Sequence, residues 1–280
     1  MKYEELDKVC HQVRRDILRM VNRVNSGHPG GSMGCTEYMV ALYYHHMNHN
    51  PKFNMDGENE DLFFLSNGHI SPVFYSVLAR TGYFGIDELN TFRKIDSRLQ
   101  GHPATHEKLP GIRVASGSLG QGLSVACGAA QAKKLNKDNS IVYTLHGDGE
   151  LQEGQNWEAF MYAAHNKLGN IISAIDFNNK QIDGNVSDVL DIGDVEGKIS
   201  AFGWETYIVE NGNSLSQIDD ALKIAKSRID NGVPKALILK TKMGYGVDFM
   251  EDDHNWHGKA PNDELLKRAL AQIPETLGDY

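Results

Sequence analysis

The second half of the chain alternates short apolar runs with segments of helical period, and this alternation restricts the fold more than any other feature. The runs have the length and composition of buried strands, and they cover Ile141–Leu145, Ile171–Ile175, Thr206–Val209 and Ala236–Leu239. Apolar strands that alternate with helices are typical of a parallel sheet covered on both faces. The sequence therefore predicts a three-layer α/β fold, with helices between these strands at about 152–167, 194–202 and 214–230.

The first half of the chain shows the same mixture less regularly. Apolar positions three or four residues apart predict helices at 6–24 and 36–47. The other predicted elements are a strand at Asp61–Leu65 and helices after Pro72, after Asp87 and after residue 261. Because no repeat or linker interrupts the pattern, residues 1–280 are expected to form a single domain.

Three stretches rich in Gly, His, Ser and Asn are predicted to be loops, at 25–35, 97–121 and 243–261. In parallel α/β folds, ligands bind on the loops beyond the carboxyl ends of the strands. Long polar loops are also commonly functional. We therefore expect any ligand site to be built from these three loops.

The charge and cysteine content exclude several classes of function. The chain has 28 basic and 37 acidic residues, a net charge of −9, which gives no electrostatic reason to bind nucleic acid or an anionic membrane. No apolar run is long enough for a membrane span. The three cysteines form no CxxC pair, so we expect neither a disulfide framework nor a structural zinc site. A chain with so few cysteines is instead expected in the cytoplasm. An anionic ligand would have to be held by backbone dipoles and a metal ion.

The most informative motif is Gly147-Asp148-Gly149, which follows an apolar run directly and precedes a helix predicted from about Gln152. The glycines allow the backbone to approach a bulky anion, and the start of a helix offers unpaired N–H groups. Asp148 offers the hard oxygen ligand that Mg²⁺ prefers. Because Gly and Asp also dominate ordinary turns, the motif alone leaves a simple tight turn as an equal alternative.

A second polar strand end favours the metal-site interpretation. Asn178 lies 178 − 148 = 30 residues after Asp148, which is the length of one βαβ unit. The two side chains are therefore expected at the same edge of the sheet, on neighbouring strands. Asn178 would add an amide oxygen, and the loop after it a backbone carbonyl, with Lys180 as a candidate.

These two motifs, GDGELQEG at 147–154 and DFNNKQIDG at 176–184, resemble the signature of thiamine diphosphate enzymes, and of the transketolase family in particular. The resemblance implies that Asp148, Asn178 and the carbonyl of Lys180 hold Mg²⁺, or another divalent cation such as Ca²⁺ or Mn²⁺. It also implies thiamine diphosphate as the cofactor.

A glycine-rich loop extends the resemblance. Ser116–Gly122, with the sequence SGSLGQG, matches a family loop that packs on thiamine, although the family more often begins it with threonine. The cofactor-binding residues implied in this loop and in the first motif are Gly117, Ser118, Leu119, Gly147, Gly149 and Glu153. Glu153 also matches a family glutamate at a dimer interface, and it is equally a favourable acidic residue in the first turn of a helix. The loop is not the GxGxxG dinucleotide fingerprint, so a Rossmann dehydrogenase is not expected.

Four of the twelve histidines lie in polar loops beside glycine or proline, and imidazole is the side chain whose charge changes near neutral pH. They are His28 in SGHPGG, His69 in SNGH, His102 in GHP and His257 in NWHG. A single loop histidine is more often a surface residue, but four indicate a site. By contrast, His45, His46 and His49 follow an apolar helix and are expected at its solvated end.

The transketolase family has the same four histidine motifs in the same order, and the resemblance implies their roles. His69 and His257 contact the diphosphate, and His257 also reaches the sugar. His28 and His257 move protons on the oxygen of the acceptor aldehyde, and His102 binds the donor ketose near its carbonyl. These roles suit carbon–carbon cleavage, because each half-reaction moves a proton on or off a sugar hydroxyl.

The resemblance covers almost the whole chain but only the first of the three domains of a full transketolase. The family takes a glutamate and an aromatic pocket for the aminopyrimidine ring from its second domain, and the sequence offers no candidate for either. We therefore expect a C-terminal transketolase subunit with the pyrimidine-binding domain as partner, an α2β2 assembly and phosphosugar substrates. The beginning and end of the sequence favour a natural subunit over a fragment.

Two alternatives remain open at the level of the sequence. One is a non-catalytic paralogue that associates without turnover, which the complete set of motif histidines and metal ligands disfavours. The other is a subunit of a related thiamine diphosphate enzyme, such as a deoxyxylulose-phosphate synthase or an oxidative decarboxylase. A P-loop kinase is excluded because no GxxxxGK[ST] sequence occurs.

Overall fold

A five-stranded parallel sheet organises the fold, as the alternation of strands and helices predicts. The computed structural model describes residues 1–280. The strands of the sheet are β1 (Leu62–Leu65), β2 (Val142–Gly147), β3 (Ile171–Asp176), β6 (Glu205–Val209) and β7 (Lys235–Leu239), in the order β1-β2-β3-β7-β6. Two short strands, β4 (Lys180–Gln181) and β5 (Gly184–Asn185), form a separate antiparallel hairpin. All five predicted strands are confirmed to within a few residues.

Ten α-helices surround the sheet. They are α1 (Tyr3–Arg23), α2 (Pro29–Gly34), α3 (Thr36–Ala41), α4 (Ser71–Arg80), α5 (Gly122–Leu135), α6 (Gly154–His165), α7 (Val186–Val189), α8 (Val195–Ala201), α9 (Leu215–Lys226) and α10 (Asp263–Leu270). Short 3₁₀ segments cover Gly68–Ile70, Ile86–Thr91, Thr105–Glu107, Gly149–Gln152, Ile229–Asn231 and His254–Trp256, and a π turn covers Leu42–His46. No helix combines the length and the apolar character that crossing a membrane requires.

The sheet is covered on both faces, so the predicted three-layer architecture is confirmed. Side chains of a strand alternate between the two faces of a sheet. In β2, Tyr143 and Leu145 join a cluster of 48 buried apolar residues that includes α1, α3, α4 and α9. Val142, on the other face, joins a cluster of 21 residues with α5, α6 and α8. The larger of the two apolar cores thus lies on the α1 side of the sheet.

Four local predictions differ from the structure, and the first is the helix expected after Asp87, which is only a 3₁₀ segment at Ile86–Thr91. The predicted loop at 25–35 contains α2, whose three glycines are poor helix formers on their own. Tertiary packing requires a glycine in this helix, because a Cβ on Gly30 would lie 2.6 Å from Met243 Cγ and 2.8 Å from the carbonyl oxygen of Trp256. The predicted helix 36–47 ends at Ala41 and widens into the π turn. The prediction of a solvated end is wrong for His46, which is 7% exposed.

Candidate functional site

The carboxyl ends of β2 and β3 bring the two polar strand ends together, as predicted. The strands are parallel neighbours, and Gly147 is in register with Asp176. The backbone N–H of Asp148 donates to the carbonyl oxygen of Asp176 at 3.1 Å. Asp148 Oδ2 accepts a hydrogen bond from the backbone N–H of Asn179 at 2.5 Å. Residues 30 positions apart in the sequence (178 − 148) therefore form one loop cluster.

Two buried carboxylates lie side by side in this cluster. Asp148 and Asp176 are each 2% exposed. Burial, and then the charge of Asp176, raise the pKa of Asp148 to about 7. Burial raises the pKa of Asp176 to about 6, although hydrogen bonds from Thr241 Oγ1 and Asn178 Nδ2 oppose the shift. Two carboxylates that are removed from water without a basic partner favour a bound cation.

The four motif histidines converge on one side of this cluster. The ring centroids of His28 and His69 are 5.1 Å apart, those of His28 and His257 5.7 Å, those of His69 and His257 5.0 Å, and those of His28 and His102 6.3 Å. His28 precedes α2 directly, and His69 lies in a 3₁₀ turn after β1. Four separate segments of the sequence therefore contribute to one group.

Burial keeps these histidines neutral near pH 7. It lowers the pKa of His28 to about 4, with the charges of His257 and Arg93 as further causes. It lowers the pKa of His69 well below the usual value, and also lowers the pKa values of His102 and His257. A neutral imidazole can accept a proton or hydrogen bond at one nitrogen and donate at the other.

A cavity of about 380 Å³ lies between the histidines and the ends of β2 and β3. The predicted residues that line it are His28, His69, His102, Gly117, Leu119, Gly147, Gly149, Glu153, Asn178 and His257. Ser118 does not line it and is solvent-exposed, so the structure does not bring this predicted residue to the cavity. Asp148 and Lys180 do not line the cavity themselves, but both contact the loop that contains Asn178.

A larger cavity, of about 580 Å³, lies at the start of α1. It contains none of the motif residues. Its buried charges already pair with each other, since Arg14 and Glu37 are 2.6 Å apart. We therefore assign the functional site to the smaller cavity.

Comparison with known proteins decides the family. Residues 7–275 match the family model described as "Transketolase, thiamine diphosphate binding domain". The chain belongs to the transketolase family. It is 36% identical over 276 residues to one of the subunits of an apulose-4-phosphate transketolase from Actinobacillus succinogenes, with 98% of each chain covered. It is 34% identical over 269 residues to the 6-deoxy-6-sulfo-D-fructose transketolase subunit SqwG of a Clostridium species, with 96% of each covered.

Single-chain transketolases match over less than half of their length. The human enzyme is 34% identical over 275 residues, which are 97% of this chain but 42% of that protein. The crystal structure of transketolase from Campylobacter jejuni superposes with a TM-score of 0.89 at 34% identity, covering 98% of this chain and 43% of that one. This transketolase-family chain thus corresponds in extent to the separate transketolase subunits and to the first part of the single-chain enzymes.

The residues of this transketolase-family chain fit a divalent cation. The oxygen donors at the strand ends are the Asp148 carboxylate, the Asn178 amide and backbone carbonyls, a set that hard cations such as Mg²⁺ prefer. Both polar atoms of the Asn178 side-chain amide are hydrogen-bonded, because Nδ2 donates to Asp176 at 2.9 Å and Oδ1 accepts from the N–H of Lys180 at 2.8 Å. The second lone pair of Oδ1 remains for a metal.

The cavity also fits a polar, anionic cofactor. A Cβ added to Gly147 would have no atom closer than 3.9 Å, so the wall is open at this glycine. Three buried polar atoms of residues that line the cavity have no partner: His28 Nδ1, His257 Nδ1 and Asn67 Oδ1. Buried polar groups are almost always hydrogen-bonded, so these three atoms favour a polar ligand.

Sequence reasoning missed Glu150, which joins three segments of the site. Its carboxylate is 2% exposed and accepts hydrogen bonds from Ser66 Oγ, from the N–H of Gly120 at 2.8 Å and from the N–H of Gly147 at 3.1 Å. One side chain thus connects the end of β1, the glycine loop and the Gly-Asp-Gly motif. Its position next to Gly149 was the only signal in the sequence.

Sequence reasoning also missed Arg93. Its charge lowers the pKa values of His28 and His102, and burial lowers its own pKa because no carboxylate pairs with it. Nη1 donates to Ser26 Oγ at 3.1 Å. Arg93 also lines a neighbouring cavity of about 570 Å³ with His102. It is a cation without an acidic partner beside the site.

Proposed function

We propose that the chain is the diphosphate-binding subunit of a two-chain transketolase, which transfers a two-carbon ketol unit from a ketose phosphate to an aldose. One observation carries this proposal. The four motif histidines and the Asp148–Asn178 strand ends surround one cavity, in a chain as long as the separate transketolase subunits it resembles. Thiamine diphosphate would supply the electron sink for carbon–carbon cleavage.

In this proposal the chain holds the cofactor's diphosphate and its metal ion. Asp148, Asn178 and the carbonyl of Lys180 hold Mg²⁺, Ca²⁺ or Mn²⁺. Gly147 and Gly149 leave room for the diphosphate. Other contacts to the cofactor come from His69, Gly117, Leu119, Glu153 and His257, whereas Ser118 faces away from the cavity and is not assigned a contact.

The neutral histidines handle protons at the substrate. His28 and His257 take up and return the proton of the acceptor's oxygen, and His102 binds the donor near its carbonyl. Their lowered pKa values support this role, because a general base must be unprotonated at the working pH. Arg93 adds a positive charge beside His102, in the neighbouring cavity.

We propose that the activity requires a C-terminal partner subunit in an α2β2 assembly, and that the complex works in the cytoplasm. Relatives of the same length that are named as transketolase subunits support a partner for this chain. The match covers only 42% of the human single-chain enzyme, and a partner chain would supply the remaining part.

The experiment compares two donor substrates, using this chain purified together with its partner subunit. A ketose phosphate with an aldose acceptor should give two-carbon transfer that depends on Mg²⁺ and thiamine diphosphate. Pyruvate with the same acceptor should give nothing. Asp148→Ala should abolish metal-dependent cofactor binding, whereas the exposed His106→Ala should not. Turnover of pyruvate would instead assign a synthase or decarboxylase, and unchanged cofactor binding in Asp148→Ala would contradict the metal site.

A further inference from the structure

A second group of metal-ligating side chains lies away from the cavity, in the outer helical layer. It comprises His45 and His46 of the π turn and Asp219 of α9. The ligand atoms of the three residues all lie within 4.8 Å of one another. None of the three lines the cavity of the proposed active site, and the proposed function gives them no role.

The geometry of the group centres on one carboxylate oxygen. Asp219 Oδ1 is 3.0 Å from His45 Nδ1 and 2.9 Å from His46 Nε2. Asp219 and His46 are buried, whereas a third of the His45 side chain is exposed. The π turn makes this possible, because its wider winding changes the direction in which consecutive side chains point. Such turns are rare, and they occur frequently at functional sites.

The surroundings hold the carboxylate in place for a ligand at Oδ1. The other oxygen, Oδ2, accepts hydrogen bonds from Tyr3 Oη at 2.6 Å and from Lys223 Nζ at 2.5 Å. The hydrogen bond from the neutral Tyr3 hydroxyl is of the kind that orients a metal-ligating carboxylate, whereas Lys223 competes with a cation for the charge of Asp219. Oδ1 faces only the two imidazoles.

We propose that His45, His46 and Asp219 bind a divalent transition-metal ion of the Zn²⁺ class. Two imidazoles and one carboxylate are a donor set that Zn²⁺ accepts and that Mg²⁺ and Ca²⁺ do not prefer. The exposed side of His45 leaves the fourth position to water. The bound ion would clamp the π turn onto α9.

Two lysines oppose the bound ion, and they provide a test. Lys223 contacts the metal-ligating carboxylate, and Lys226 Nζ donates to the carbonyl oxygen of His46. Because like charges repel, removing the ammonium group of Lys223 should strengthen metal binding. More than half of the Lys223 side chain is exposed, so Lys223→Ala is not expected to impair folding.

The experiment titrates Zn²⁺ into the full chain by calorimetry in excess Mg²⁺, and follows Co²⁺ by its visible absorption. His45→Ala, at a partly exposed position, should weaken Zn²⁺ binding at least about tenfold, since even outer-shell changes have that effect. Lys223→Ala should strengthen binding, and His106→Ala, an exposed histidine beside a single carboxylate, should leave it unchanged.

Zn²⁺ binding that is the same in His45→Ala as in the unmodified chain would overturn the proposal. So would the absence of Zn²⁺ binding to the unmodified chain. Loss of the Co²⁺ absorption in Asp148→Asn, but not in His45→Ala, would place the ion in the cofactor site instead. Because the readout is metal binding, its failure leaves the proposed transketolase function untouched.

Discussion

Asp148 and Glu150 flank one glycine of the cofactor motif, yet their carboxylates have different partners. Asp148 accepts two backbone N–H groups and faces the charge of Asp176, so it lacks a positive partner. Glu150 accepts three hydrogen bonds from three segments and is satisfied within the chain. We therefore expect Asp148 to matter for the metal ion and Glu150 for the alignment of the loops.

The variant Glu150→Gln tests the alignment role. The amide would present an N–H group to at least one of the backbone N–H donors and leave it buried without an acceptor. This should lower the free energy of unfolding by about 1–3 kcal/mol, measured by urea denaturation, and should weaken thiamine diphosphate binding in the complex. Glu158→Gln, on the exposed face of α6, is the matched control. Equal stabilities of the two variants would contradict the role.

The buried His146 predicts how stability depends on pH. Burial lowers its pKa to about 3, whereas an unfolded histidine titrates near 6.5. The unfolded chain therefore binds the additional proton between these values, and stability falls as the pH falls through this window. Titration of His146 should lower the free energy of unfolding by about 2 kcal/mol at pH 5, relative to its value at neutral pH.

The comparison of His146→Gln with the unmodified chain measures that contribution. Glutamine can keep the hydrogen bond to Thr144 Oγ1 but cannot take up a proton. Between pH 7 and pH 5, the free energy of unfolding should fall less for His146→Gln than for the unmodified chain. The exposed His106→Ala should behave like the unmodified chain. The same pH dependence in all three proteins would show that His146 is not buried in its neutral form.

At the scale of elements, α2 fixes the distance between two parts of the site. It begins directly after His28, and its Gly30 packs on Met243 and on the carbonyl of Trp256, the residue before His257. The close contact therefore sets how near His28 and His257 come. Without a Cβ at position 30, the two loops can touch.

Gly30→Ala should separate these loops. The new Cβ would overlap Met243 and the backbone of Trp256, which should cost about 1–3 kcal/mol of stability and reduce activity of the complex. Gly128→Ala in α5 is a matched control, because a Cβ there meets nothing within 4 Å. The isolated chain with Gly128→Ala should be more stable by about 0.5–1 kcal/mol. A stable, active Gly30→Ala would contradict the close packing.

The elements also show what the sequence could and could not predict. Strands β1, β2, β3 and β7 were predictable because their apolar runs are buried on both faces. The two polar motifs follow β2 and β3, where we propose the metal ligands. Helix α5 was not predicted, because its sequence GLSVACGAAQAKKL has mostly small residues and a weak apolar period. Asp176, Glu150 and Arg93 were missed because their roles depend on contacts between distant segments, and α2 because packing overrides its glycines.

At the scale of the whole molecule, the chain contains the thiamine diphosphate binding domain of the transketolase family. The cavity of about 380 Å³ has histidines and strand ends on its walls but only three apolar residues, so little of it suits an aromatic ring. A second chain with an apolar pocket and a glutamate would complete the site. The central claim is therefore that this chain turns over substrate only together with such a partner.

The most direct measurement is ketol transfer by this chain, purified from its own cells with whatever binds it, compared with the chain alone. We expect a chain of similar size to co-purify, and the pair to transfer two carbons from a ketose phosphate with Mg²⁺ and thiamine diphosphate. We expect the chain alone to be inactive and the Asp148→Ala pair to be inactive as well. Isolation without a partner, or a pair that transfers nothing, would contradict the central claim.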